Sequence, residues 1–375
     1  MPDPAYPAAR AAAIAIYPHF ARHFSAERTA GGLAPAIDAM QAMMDAAFWA
    51  SLRREEGYVP RISLAFVRPE QVADGMLFEQ ALPLAPQPLT RIAPAVERPG
   101  IHLGVCRDGD KLTVWGATRH VPAFHFVLEV AAPGLLVVKY SRGTESTKFV
   151  NVAVLEGDQI KIVDQRTATL PDCPNLLMSL LGLEKPFAAD GSTSVWIQMA
   201  VSMRAHGRGG SLLIVPAGSR IWQESILRPI TYAVAPPFAA LAELTRADPG
   251  KMLHSYWEEA LRREIDGIAG LTAVDGAAIM TDTCELLAFG AKIVRRPGAE
   301  QVERVLLTEP IEGALAAIVE PGQLGGTRHL SAAQFAHDQR DAIALVASQD
   351  GHFTVFGWSA CEETVHAHRI ETLLL

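Results

Sequence analysis

Cysteine is scarce in this 375-residue sequence: Cys106, Cys173, Cys284 and Cys361 are the only four, and no two form a C-x-x-C pair. That spacing supports neither a disulfide framework nor a zinc ribbon, so four free thiols in a reducing cytoplasm are expected. Long hydrophobic runs are missing as well. A spanning helix needs about 20 mostly apolar residues, and no window supplies them without charge or proline, so no membrane partner is expected. The start of the sequence, Met1-Pro2-Asp3-Pro4, lacks the basic stretch of a signal peptide. Nor is positive charge in excess: 33 Lys+Arg stand against 41 Asp+Glu, a net charge of -8. This argues against a surface that coats DNA or RNA, although a local basic pocket for one nucleotide stays compatible.

What is there is a globular composition, 49% hydrophobic and 20% charged, over a length that suggests two domains. Residues 1–58 read as helical. Ile37, Met40, Met43, Met44, Ala47, Phe48 and Leu52 repeat at helical spacing, which predicts a core-facing stripe. Residues 59–170 read as β-rich, with short β-branched or aromatic segments separated by turns such as Asp108-Gly109-Asp110 and Glu156-Gly157-Asp158. Within them, the run holding Pro69, Pro83, Pro86, Pro88, Pro94 and Pro99 reads as an ordered crossing loop. The domain boundary is expected at Pro171–Ser192, giving an N-terminal region 1–185 and a C-terminal domain 190–375. The latter alternates helices and strands around one sheet, an α/β arrangement.

Two segments of the C-terminal domain carry chemistry. In Asp275-Gly276-Ala277 a carboxylate heads an apolar strand, where it needs solvent, a partner or a metal. The small residues after it leave room for a flat ligand or another backbone. The bland alternative is an Asp-Gly turn. The second segment, Gly325-Gly326-Thr327-Arg328-His329, runs into a helix at Ser331–Asp338. Free N–H groups and the positive dipole end attract phosphate there, with Arg328, Thr327 and His329 as further donors. The bland alternative is a solvated helix cap. The glycines of Gly207-Arg208-Gly209-Gly210 follow a helix and precede a strand, the wrong order for a phosphate loop, so they read as a C-cap.

Taken together, Asp275-Gly276-Ala277, Gly326-Thr327-Arg328-His329 and the strand Ala344–Ser348 resemble the signature of the diadenylate cyclase (DAC) domain. The resemblance covers about Ser194 to Phe356. The N-terminal half looks, more loosely, like the sensor regions fused to some bacterial DAC domains. The resemblance implies a DAC-type mixed sheet flanked by helices, and condensation of two ATP to cyclic di-AMP and pyrophosphate. It implies Mg²⁺ or Mn²⁺ as cofactor and a homodimer or higher oligomer in which two sites face each other. Asp275 would bind the metal, Gly276 and Ala277 would line the nucleoside pocket, and Gly326, Thr327, Arg328, His329 and Ser348 would hold phosphates. The alternative is a DAC-like nucleotide-binding sensor with weakened turnover.

The sequence departs from the family at three places. Leu330 stands where a second arginine usually follows R-H, and Gln349 where an acidic residue follows the serine. The interval from Asp275 to Arg328 is long, which makes Arg295–Glu312 an inserted linker. Two further motifs carry no function: Gly116-Ala117-Thr118-Arg119-His120 echoes the downstream motif by coincidence, and His366 and His368 lack the carboxylates of a metal site.

Overall fold

The computed structural model describes residues 5–26, 35–141, 149–163, 194–247 and 254–375. The chain divides into two compact units with the break after Asp164. The boundary expected at Pro171–Ser192, like Cys173, lies outside the described residues. No helix among the described residues is long and apolar enough to cross a membrane.

In the first unit the order is α1 (Pro7–Ala26), α2 (Ile37–Ser51), β1 (Ser63–Phe66), β2 (Met76–Pro83), α3 (Pro86–Val96), β3 (His102–Asp108), β4 (Lys111–Thr118), β5 (Phe126–Ala132), β6 (Leu135–Ser141), β7 (Phe149–Glu156) and β8 (Gln159–Ile162). The strands form one sheet in the order β2-β4-β3-β1-β5-β6-β7-β8, antiparallel except for the parallel pair β1–β3. Met40, Met43 and Met44 are buried against Leu64, Leu103 and Phe126, so the methionine stripe is core.

The proline-rich run is not a crossing loop; it contains β2 and α3. Pro94 falls inside α3, near its C-terminal end, but the other prolines of these two elements are tolerated because of where they fall. Pro86 and Pro88 occupy the first turn of α3, where an N–H has no intrahelical acceptor. Pro83 ends β2, an edge strand with one free side, so its missing N–H breaks no ladder there.

The second unit runs α4 (Val195–Ala205), β9 (Gly210–Val215), β10 (Tyr232–Phe238), α5 (Ala240–Arg246), α6 (His254–Leu271), β11 (Ala277–Thr281), β12 (Leu286–Ala291), β13 (Val305–Thr308), β14 (Ala317–Val319), α7 (Thr327–Asp338), β15 (Ile343–Ala347), β16 (Phe353–Ser359) and β17 (Thr364–Arg369). Its sheet has the order β10-β12-β11-β9-β15-β16-β17-β13-β14 and is mixed, with β9–β11 and β13–β17 parallel. Both faces are covered, so the central strands are continuously apolar. Leu212 and Ile214 of β9 meet α4 and α6 through Met199, Met203 and Ile265. Leu213 and Val215 meet α7 through Phe335 and Ala332. The architecture is α/β with a helical and β-rich first unit.

Two expectations shift here. The Arg295–Glu312 linker holds a strand, β13, which with β14 extends the sheet beyond β17. The last helix begins at Thr327 rather than Ser331, because Gly326 takes the extended N-cap conformation and nothing after it breaks a helix.

Candidate active site

Strand directions bring the motif residues to one end of the second sheet. Strands β9 and β11 start there, and β15 ends there, since Ala347 pairs with Gly210 and Ala278 with Leu212. Antiparallel β12 also ends there, with Ala291 opposite Ala277.

Asp275 sits in the turn before β11, and its side chain is 92% exposed. The adjoining Gly276 has φ +118, and a Cβ placed on it would lie 2.5 Å from the carbonyl carbon of Gly290. Glycine is therefore required for β12 to pass so close. Tyr232 of β10 lies against Gly290 and stacks on Phe289 with ring centroids 4.7 Å apart. Ala277 is buried in the sheet behind them.

The carboxylate of Asp275 has a partner that the sequence reading missed. Lys292 Nζ lies 2.5 Å from its Oδ2. The hydrogen bond and charge of Lys292, and then the charge of Arg328, hold the Asp275 carboxyl below the usual carboxylate range. Hairpin register gives the reason: Lys292 follows the residue that pairs with Ala277, and Asp275 precedes it by two. Arg328 lies at Gly209, just before β9, and Asp275 stands just before the neighbouring strand β11, so two residues far apart in sequence come to the same end of the sheet.

Arg328 comes from the first turn of α7. That helix has no acidic residue in its first turn, and its N-cap, Gly326, offers no side-chain hydrogen bond. Thr327 is exposed and Arg328 half-buried. A Cβ on Gly209 would lie 3.0 Å from Arg328 Nη1, 3.3 Å from the Ala347 carbonyl and 3.3 Å from Gln349 Cγ. The glycines after α4 thus do more than end a helix: Gly209 makes room for the guanidinium. Burial, and then the charges of Arg208 and Arg328, lower the pKa of His206. Gln349 Nε2 donates to the Arg208 carbonyl at 3.3 Å. Ser348 follows Ala347, and its hydroxyl accepts the Asp350 N–H at 3.2 Å within the turn.

His329 stands apart from this exposed group. It is 2% exposed, with its ring against Gly325 and edge-on to Phe356 at 6.0 Å. Burial first, then the charges of Arg369 and His352, push its pKa down to about 4. Its Nε2 is buried without a hydrogen-bond partner among the described residues. The imidazole is therefore neutral at pH 7. Desolvation outweighs any attraction for the proton, so the ring offers a neutral donor or acceptor and no charge.

The donor set fits a metal only in one way. Among the described residues no three His, Cys, Asp or Glu side chains cluster as a cage. Asp275 is a single exposed carboxylate, kept ionised. A Mg²⁺-type ion bound mainly by phosphate oxygens and water needs one or two such carboxylates, so Asp275 suits a metal that arrives with a polyphosphate.

A cavity of about 490 Å³ lies at the opposite end of the sheet, beside Trp222, Arg296, His337 and Arg340. Two carboxylates line it: Asp338, already held by the Arg296 N–H and Gln334 Nε2, both at 2.8 Å, and the exposed Asp341.

Comparison with known proteins adds the following. A family model described as "Probable sensor domain DACNV" matches residues 30–119. The match takes in α2 to β4. No curated protein matches the chain. Among solved structures, the crystal structure of a hypothetical membrane spanning protein from Bacillus cereus is 14% identical. It covers 51% of this chain and 80% of its own with a TM-score of 0.25, too loose a superposition to carry an argument.

Proposed function

We propose that the second unit is a diadenylate cyclase, condensing two ATP molecules to cyclic di-AMP with release of two pyrophosphates, and that the first unit is its sensor. One observation carries the reading. Asp275, Arg328 and the Gly209–Ala347 backbone converge on one end of one sheet, with a nucleotide's charge demands met by residues from separate segments. The DACNV match in the first unit supports it independently.

In this reading the 3′-hydroxyl of one ATP attacks the α-phosphorus of the other. The new P–O bond forms as the bond to pyrophosphate breaks, and the hydroxyl proton passes to solvent. Repeating the step in the other direction closes the ring. Arg328 and the first-turn N–H groups of α7 grip the phosphates and take up developing charge. Gly276 lets the nucleoside approach the backbone. Asp275, with phosphate oxygens and water, would hold the divalent metal, which neutralises phosphate charge when bound. Positioning supplies much of the rate, and a two-fold product asks for two protomers related by a two-fold axis.

A second reading is favoured by one feature. Leu330, 39% exposed, occupies the place of the family's second arginine, so the unit would bind nucleotide with little turnover and act as a sensor. Mass spectrometry of protein incubated with ATP and Mg²⁺ or Mn²⁺ separates the two. Cyclic di-AMP from the parent and none from Asp275→Asn supports the cyclase. No product, with ATP-dependent thermal stabilisation, supports the sensor. Neither signal overturns both.

A further inference from the structure

We propose that Lys292 is a shared cation of the nucleotide site. It holds Asp275 before ligand arrives and passes to the triphosphate when a metal claims that carboxylate. The inference rests on the nucleotide reading of this end of the sheet.

The ion pair is short, 2.5 Å, yet both side chains are exposed, 49% for Lys292 and 92% for Asp275. Exposed pairs are worth little, because water screens them and two long side chains lose freedom in holding one geometry. A divalent ion with phosphate oxygens around it therefore displaces Lys292 easily. The freed ammonium remains tethered one residue beyond β12, within reach of anything bound to Asp275. There it meets an anion. Arg328 lies at Gly209, at the start of the neighbouring strand β9, and its charge is also felt at Asp275, so a triphosphate bound at this end of the sheet would meet two cations.

This answers the loss at Leu330, where the helix supplies no second charge. Arg369 is one of the other cations near α7, and its charge is felt by His329. It is not available, since its Nη1 is bound to Glu309 at 3.0 Å and its Nε faces Glu371 at 4.0 Å. Among the described residues, Lys292 is paired with a solvent-facing carboxylate, Asp275.

The test uses the full chain as wild type, Lys292→Met and Lys292→Arg, with two probes. Free Mn²⁺ is followed by electron paramagnetic resonance without nucleotide, and Mn²⁺·ATP binding by calorimetry. Lys292→Met should bind Mn²⁺ alone a few-fold more tightly, because the competing cation is gone. It should bind Mn²⁺·ATP about tenfold more weakly, the size of one charge-assisted hydrogen bond. Lys292→Arg should recover most of the second loss. A merely structural lysine would move both affinities together or neither, and either result overturns the proposal. Wild type that binds Mn²⁺·ATP with no change in Lys292→Met removes the lysine's role and leaves the nucleotide reading. Wild type that binds no Mn²⁺·ATP removes both.

Discussion

The guanidinium of Arg328 rests against Gly209, 3.0 Å from where a Cβ on that residue would stand. The helix that bears the arginine and the loop that leads into β9 are thus fitted to each other at one atom's width. Gly207, two residues earlier, supplies a control. Both glycines have positive φ, +64 and +69, but a Cβ on Gly207 would meet nothing within 4 Å.

Replacing either glycine with alanine imposes a left-handed backbone on a side chain, costing about 1 kcal/mol in each case. Gly209→Ala must also move Arg328. We expect similar losses of melting temperature for the two variants, and a much larger loss of ATP binding for Gly209→Ala. Equal binding by both would show that the contact with Arg328 does not matter to the ligand.

Much of this architecture was legible in the sequence, and the exceptions have physical reasons. Methionines at helical spacing and short alternating segments gave the elements of the first unit, because burial on one face imposes a period. The proline-rich run misled because a proline's cost depends on position, in a first turn or at an edge, and composition does not reveal position. Asp275 and Arg328 stand out in the sequence by their motifs. Lys292 does not, although the register of β11 against β12 places it beside Asp275 once the hairpin is recognised. Gly209 looked like a helix cap because its second task, making way for Arg328, depends on a residue far along the chain. His329 has an ordinary phosphate-binding neighbourhood in sequence. Only the closeness of Gly325 and Phe356 shows its ring turned inward.

Burial makes the fold sensitive to acid. His102 in the first unit and His329 in the second are each pushed down to about 4, and His368 to about 3, chiefly by desolvation. In the unfolded chain a histidine gains its proton below about 6.5. Between that pH and about 4 the unfolded state holds more protons than the folded one, so stability present above pH 6.5 is lost as the pH falls. For His329 the loss across the window is on the order of 3 kcal/mol. Melting temperatures between pH 7.5 and 4.5 should fall for the wild type, and the fall should be shallower in His329→Leu. A variant as acid-sensitive as the wild type would show that this ring does not govern the transition.

Leu330→Arg tests the family's missing cation directly. Leu330 is partly exposed in the first turn of α7, so an arginine there needs no repacking of the core. A positive charge opposes the helix dipole at this end, at a cost of about 0.3–1 kcal/mol. Binding and stability should therefore move in opposite directions: a slightly lower melting temperature without ligand, and a larger rise on adding ATP. If the chain is a weakened cyclase, product formation should increase, on the order of tenfold for one charge-assisted contact made in the transition state. If ATP binding tightens while turnover stays absent, charge at this position is not what limits the chemistry, and the sensor reading gains. If neither changes, the first turn of α7 does not contact phosphate, and Arg328 would have to act through Asp275 alone.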